Sequence, residues 1–73
     1  MMTSTVDHIG ATVRRTRKAQ GLRQEELAAV ANVGLRFLSE LENGKPTLQL
    51  GKVVDVLDAL GIDLVLREPG EGT

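Results

Sequence analysis

Apolar residues recur through most of this chain at the three- and four-residue spacing that gathers them on one side of a helix. Between about residues 6 and 20, Ile9, Val13 and Thr16 share such a face, while Arg14, Arg15 and Lys18 fall elsewhere. Ser4 or Thr5 stands where an N-cap is needed, and Gly21 supplies the stop. A short second helix follows over 24–31, with Leu27, Ala28 and Ala31 on one side. Asn32-Val33-Gly34 then reads as a turn, because Asn and Gly accept left-handed backbone. Residues 35–42 form a third helix, ended by Asn43-Gly44 with Pro46 just beyond. Thr47 is placed to cap a fourth, which runs to about Leu60 with a stripe of Leu50, Val53, Val54, Leu57 and Leu60.

After Gly61 the period changes to two. Ile62, Leu64 and Leu66 alternate with Asp63, Val65 and Arg67, the pattern of one short strand. Nothing else in the chain reads as a strand to pair with it, so Ile62, Leu64, Val65 and Leu66 are expected to pair with a second copy and make a homodimer. The predicted fold is mainly α. It has flexible residues at 1–5, a four-helix domain at 6–61, a dimerisation strand at 62–67 and a flexible tail at 68–73.

Residues 24–43 carry a more specific arithmetic. Leu27, Ala31, Val33, Leu38 and Leu41 are apolar, and small Ala28 sits where two backbones must approach. Two short helices crossing at about 90–120° over a tight turn need this order, with a left-handed residue at Asn32. The spacing describes a helix-turn-helix, against the plainer reading of an αα-hairpin in a bundle. Leu35, Arg36, Ser39, Glu40 and Asn43 then share the outer face of the third helix.

Composition narrows the class without changing the fold. The 73 residues are 41% hydrophobic, with one Phe, no Tyr and no Trp, which suits a single small helical domain. The absence of Cys excludes a disulfide framework and a thiolate metal site. No apolar run approaches the roughly 18 residues of a membrane span, so a cytoplasmic protein is expected. The net charge is −1, yet it is unevenly spread. Residues 1–52 hold eight of the nine Lys and Arg against five acids, and residues 53–73 hold Arg67 against Asp55, Asp58, Asp63, Glu68 and Glu71. A basic part and an acidic part suggest two faces with different partners.

On the basic part, Arg36, in the first turn of the third helix, is the candidate for base readout, since Arg pairs bidentately with guanine in the major groove; phosphate contact or solubility is the plainer reading. Ser39 can bond bases or phosphate, Leu35 can meet a thymine methyl or simply pack at the helix end, and Glu40 can accept from cytosine or repel phosphates. Arg14, Arg23, Gln24, Asn43 and Lys45 are candidates for phosphate contact, with Lys52 a weaker one. Phe37 reads as core or elbow packing. His8 has no second ligand at helical spacing, so no metal is expected. Neither a nucleophile–base pair nor a phosphate loop is present, and the chain is not expected to be an enzyme or to hold a cofactor.

The stretch RRTRKAQGLRQEELAAVANVGLRFLSELENGKPT resembles the xenobiotic-response-element, or Cro/C1-type, helix-turn-helix family over about residues 9–61. The marks are Arg17, Gly21-Leu22, Gln24, Glu26-Leu27-Ala28, Glu42-Asn43-Gly44 and Lys45. Asn32 stands where the family most often has Gly, and Gly34 where Ser or Thr commonly caps the recognition helix. The segment GKPTLQLGKVVDVLDALGIDLVLRE, a helix leading into a strand, is similar to HipB-type antitoxins. The resemblance implies a buried salt bridge between Arg17 and Glu42, a homodimer on double-stranded operator DNA, and a HipA-like kinase toxin as partner. It implies a repressor, the antitoxin of a HipBA-like toxin–antitoxin operon. A stand-alone repressor or restriction–modification controller, and a protein-interaction adaptor that does not bind DNA, are the alternatives left open. So short a chain leaves no segment for sensing a small molecule, and control by a partner protein, by proteolysis or by concentration is the expectation.

Overall fold

Four helices form where the apolar periodicity places them. The computed structural model describes residues 5–70, ordered as α1 (Thr5–Ala19), α2 (Gln24–Ala31), α3 (Leu35–Glu42) and α4 (Leu50–Leu60). Charge supports the ends: Asp7 lies in the first turn of α1 and Arg17 and Lys18 in its last, and Glu25 and Glu26 open α2. Glu26 also reaches back to accept from the Arg23 N–H at 2.8 Å, one half of a capping box.

All four helices stop in the same way. An N–H two or three residues past the last helical residue bonds back to a carbonyl inside the helix, as Leu22 does to Arg17, Val33 to Ala28, Lys45 to Glu40 and Ile62 to Leu57. Each return needs one left-handed residue, and Gly21, Asn32, Gly44 and Gly61 supply it. Asn32, with φ 58° and ψ 46°, does what glycine would do between α2 and α3.

The core lies where the helices cross. Val13 of α1, Leu27 of α2, Leu38 and Leu41 of α3 and Val56 of α4 are its most buried members. Ile9, Leu22, Val33, Phe37, Leu48 and Ile62 close its edges. Helices α1 and α2 each pack against both α3 and α4. The Gln20 side chain ties the ends of α1 and α4 together by donating to the Leu60 carbonyl at 3.0 Å.

Gly10 sets the approach of α1 to α3. It is buried, and an added Cβ would fall on the Leu41 carbonyl oxygen and within 3.2 Å of that of Glu42. Glycine in a helix ordinarily costs about 1 kcal/mol relative to alanine. Here it lets the two backbones meet.

Several sequence expectations are corrected. Helix α4 begins at Leu50 rather than beside Thr47, and extended Gln49 precedes it. Half-buried Leu48 turns into the core edge, which leaves exposed Thr47 in a bend rather than at a cap. Val56 takes the inward position on α4, while Leu50 is 66% exposed. Thr5 belongs to α1; Ser4, the rest of the expected flexible N-terminus and the last residues of the expected tail lie outside the described residues.

The expected strand over 62–67 does not form: among the described residues no strand occurs. A strand requires a neighbour for its N–H and C=O groups, and the rest of the described chain is helix and turn. Ile62, Asp63 and Leu64 instead run beside His8, Ile9 and Thr12 of α1 and Leu57 of α4. Val65 and Leu66 remain 71% and 83% exposed.

Gly10→Ala should lower stability by about 1–2 kcal/mol, because the clash is with backbone that cannot swing aside and its cost, in the upper part of about 1–3 kcal/mol, is set against a helix-propensity gain of about 1 kcal/mol. Denaturant unfolding measures it. A variant as stable as the parent would show that α1 and α3 separate without cost.

Candidate nucleic-acid interface

One buried ion pair joins the elements that would meet a nucleic acid. Arg17, near the end of α1, has a side chain only 9% exposed, and that of Glu42, the last residue of α3, is 3% exposed. The guanidinium grips the carboxylate with both arms, Nε to Oε2 at 2.6 Å and Nη2 to Oε1 at 3.0 Å. Its Nη1 donates to the Leu22 carbonyl at 2.8 Å, and Gln24 Nε2 adds a bond to Glu42 Oε1 at 3.1 Å. Thus α1, the α1–α2 turn, the start of α2 and the end of α3 are fixed to one another. No buried side-chain nitrogen or oxygen among the described residues lacks a partner.

The electrostatics follow from this network. Burial pushes the Glu42 carboxyl up, but the hydrogen bonds from Arg17 and Gln24, with the charges of Arg17 and Arg14, hold it below its ordinary value. The bond to Glu42 raises Arg17 further.

A polar groove opens directly over this pair, lined by Arg14, Arg17, Lys18, Gln24, Glu42 and Asn43. It brings together three sequence-predicted phosphate contacts, Arg14, Gln24 and Asn43. Lys18 joins them; its place off the apolar face of α1 was visible in the sequence, but not that it borders the end of α3. Two of the three are already engaged through their amides. Gln24 serves Glu42, and Asn43 Nδ2 donates to the Ser39 carbonyl at 2.9 Å. Arg23 is exposed at the N-cap of α2.

Helix α3 presents the second part of the surface. Gly34 precedes it with φ −72° and ψ 150°, and no side chain caps its first N–H groups. Leu35 is 49% exposed, and the Arg36 side chain is 91% exposed. Ser39 and Glu40 are half-buried on the same helix. The Glu40 carboxylate sits 3.4 Å from Arg36 Nε and 3.2 Å from Lys45 Nζ, a double pairing that the sequence reading missed. Phe37 packs at the core edge, as expected, and carries Lys52 Nζ over its ring at 5.8 Å. That contact draws Lys52 toward the α3–α4 side rather than toward the groove. Among the described residues no group of three His, Asp or Glu side chains is placed to hold a metal ion. No helix of the described chain is long and apolar enough to cross a membrane.

The lowered Glu42 carboxyl makes stability depend on pH in a known direction. Its contribution is fully present above the unfolded value, about 4.3, and is lost as pH falls through the lower folded value. Glu42→Gln should therefore flatten the acid limb of a stability–pH curve. At neutral pH it should cost on the order of 3–5 kcal/mol, because Arg17 is left buried without its counter-charge. Urea unfolding across a pH series checks both, and an unchanged acid limb would remove Glu42 from the account.

The comparisons with known proteins agree with this geometry. A family model for the helix-turn-helix domain matches residues 8–69. The uncharacterized HTH-type transcriptional regulator y4mF of Sinorhizobium fredii is 60% identical over 63 residues, covering 86% of this chain and 83% of that protein. The regulator y4dL of the same organism is 35% identical over 65 residues, which are 89% of this chain and 33% of that longer protein. Among solved structures, a chain described as MDT Protein superposes with a TM-score of 0.80 at 19% identity, covering 94% of this chain and 97% of its own. A chain of a HipA-HipB-O2-O3 complex gives the same values. At that identity the likeness speaks for the fold alone. The sequence relatives are named as regulators and not as enzymes. By the family match and by y4mF, the chain belongs to the helix-turn-helix family of HTH-type transcriptional regulators.

Proposed function

We propose that this protein is a homodimeric, operator-binding repressor that works on DNA in the cytoplasm, and that it is the antitoxin of a HipBA-like toxin–antitoxin operon. The observation that carries DNA binding is the groove of Arg14, Lys18, Gln24 and Asn43 beside the exposed face of α3. In this reading α3 enters the major groove. Arg36 reads guanine, Ser39 and Leu35 contact neighbouring base edges, and Glu40 faces the same groove. Arg14, Arg23, Lys45, the backbone at Gln24 and the second N–H of the Asn43 side-chain amide hold the phosphates and so set the register.

The dimer reading rests on the segment after α4. Leu64, Val65 and Leu66 are exposed apolar residues outside any helix, with no ladder partner among the described residues. A second copy related by a twofold axis offers one edge to each segment, and a two-stranded ribbon of this kind needs the helices beneath it for support. The same axis would hold two copies of α3 about 34 Å apart, one turn of DNA. The antitoxin reading is supported by the fold shared with a chain of a HipA-HipB-O2-O3 complex, and it makes a HipA-like kinase toxin the partner. Affinity purification from the native host tests it. A stoichiometric kinase-like protein is expected beside operator DNA, and recovery of DNA alone would favour a stand-alone repressor.

Binding to duplex DNA should weaken steeply with salt, because each phosphate neutralised releases counterions. Arg36→Ala should relax base preference at one position per half-site by about 1–3 kcal/mol, whereas Lys45→Ala should weaken all sequences alike. Selection from a random duplex pool, repeated with each variant, distinguishes these. Identical preferences for Arg36→Ala and the parent would take Arg36 out of the readout.

Deleting the chain from Ile62 onward should give a monomer or an unfolded chain with little specific DNA binding. Analytical ultracentrifugation decides this, and a stable truncated dimer would move the interface to the helices.

A further inference from the structure

Two cations converge on one carboxylate on the outer face of α3. Arg36 stands one helical turn before Glu40, within reach of its Oε2 at 3.4 Å. Lys45 arrives from the other side. Left-handed Gly44 and the Lys45 N–H bond to the Glu40 carbonyl, 3.0 Å long, turn the chain back over the end of α3. This sets Lys45 Nζ 3.2 Å from the same Oε2. The Lys45 bond, which outweighs the opposing effect of burial, and the charges of Lys45 and Arg36 hold the carboxyl below its ordinary value, so Glu40 stays charged at neutral pH. The Arg36, Lys45 and Glu40 side chains are 91%, 44% and 28% exposed. Pairs in that setting add little to stability. A fixed anion amid cations suited to phosphate therefore calls for another role.

We infer that Glu40 is a specificity-determining counter-charge, which occupies Arg36 and Lys45 in the free protein and opposes the phosphates of any duplex that gives Arg36 no base to replace it. The inference rests on the proposal that this face binds duplex DNA. On a non-operator sequence, Arg36 and Lys45 must leave Glu40 to reach phosphates, and the uncompensated carboxylate then faces the backbone. On an operator, the bidentate contact from Arg36 to guanine offsets that loss. Discrimination arises from an unfavourable element that wrong sequences cannot relieve.

The test uses the full chain and its Glu40→Gln variant. The probes are a random-sequence duplex about two DNA turns long and a duplex selected by the parent protein, each titrated over a salt series. Glu40→Gln should bind the random duplex severalfold more tightly, with a log–log salt slope steeper by about one per protomer. The ratio of selected to random affinity should fall. Adding Lys45→Met to Glu40→Gln should remove much of the gain, and circular dichroism should show the same helical content throughout. Unchanged random-duplex affinity and slope would overturn the inference. So would a loss confined to the selected duplex at one base position, which would make Glu40 a base acceptor. If the parent itself bound no duplex, the DNA-binding reading would fall and take this inference with it, an outcome distinct from equal binding by both proteins.

Discussion

The orientation of the whole surface depends on the buried pair of Arg17 and Glu42. Helices α2 and α3 have eight residues each, too short to hold their direction by local bonding. Apolar contacts place them but are not directional. The two-armed guanidinium, with its further bonds to Leu22 and Gln24, sets the end of α3 against α1 and the start of α2. A buried pair of this kind contributes little net stability compared with an apolar replacement, though breaking it is costly. Its contribution is geometric: it positions the polar groove that lies over it.

Around that fixed centre the molecule separates rigid parts from exposed ones. Gly10 and Leu41 press α1 onto α3, so the helix that carries Arg36 is held along its inner side. Its outer side bears long side chains in solvent, held by weak pairs that can be exchanged for other partners. The return at Gly44 links the two parts, since the bond that ends α3 also brings Lys45 to Glu40. Charge asymmetry along the chain has a structural counterpart. Asp55 and Asp58 on α4 line a separate groove with Val30 and Asn32 at the end of α2, whereas Arg14, Lys18 and Asn43 line the groove over the ion pair.

The local features were the legible ones. Helices α2 and α3 have the bounds that their apolar spacing predicts, and Asn32 takes the left-handed backbone its residue type allows. The Arg17–Glu42 pair was expected from family resemblance rather than from spacing, because the two residues are far apart in sequence. What sequence reading missed depends on tertiary contact. Gly10 looks like a defect in a helix until α3 is seen against it. Leu50 and Val56 differ in burial because the core meets α4 at one angle only. The amides of Gln24 and Asn43 are engaged by neighbours brought close by folding. The alternation after Gly61 is present in the sequence, but pairing requires an edge, and the described residues of one chain provide none.

In the proposed reading, the groove over Arg17 and Glu42 and the outer face of α3 together meet DNA. An amide and side-chain NMR titration of the labelled protein with duplex DNA from its own promoter tests this most directly. Shifts are predicted to cluster at Arg14, Lys18, Gln24, Arg36, Ser39, Asn43 and Lys45, leaving Asp55 and Asp58 of α4 in place. Shifts centred on α4, or none at saturating duplex, would contradict the account.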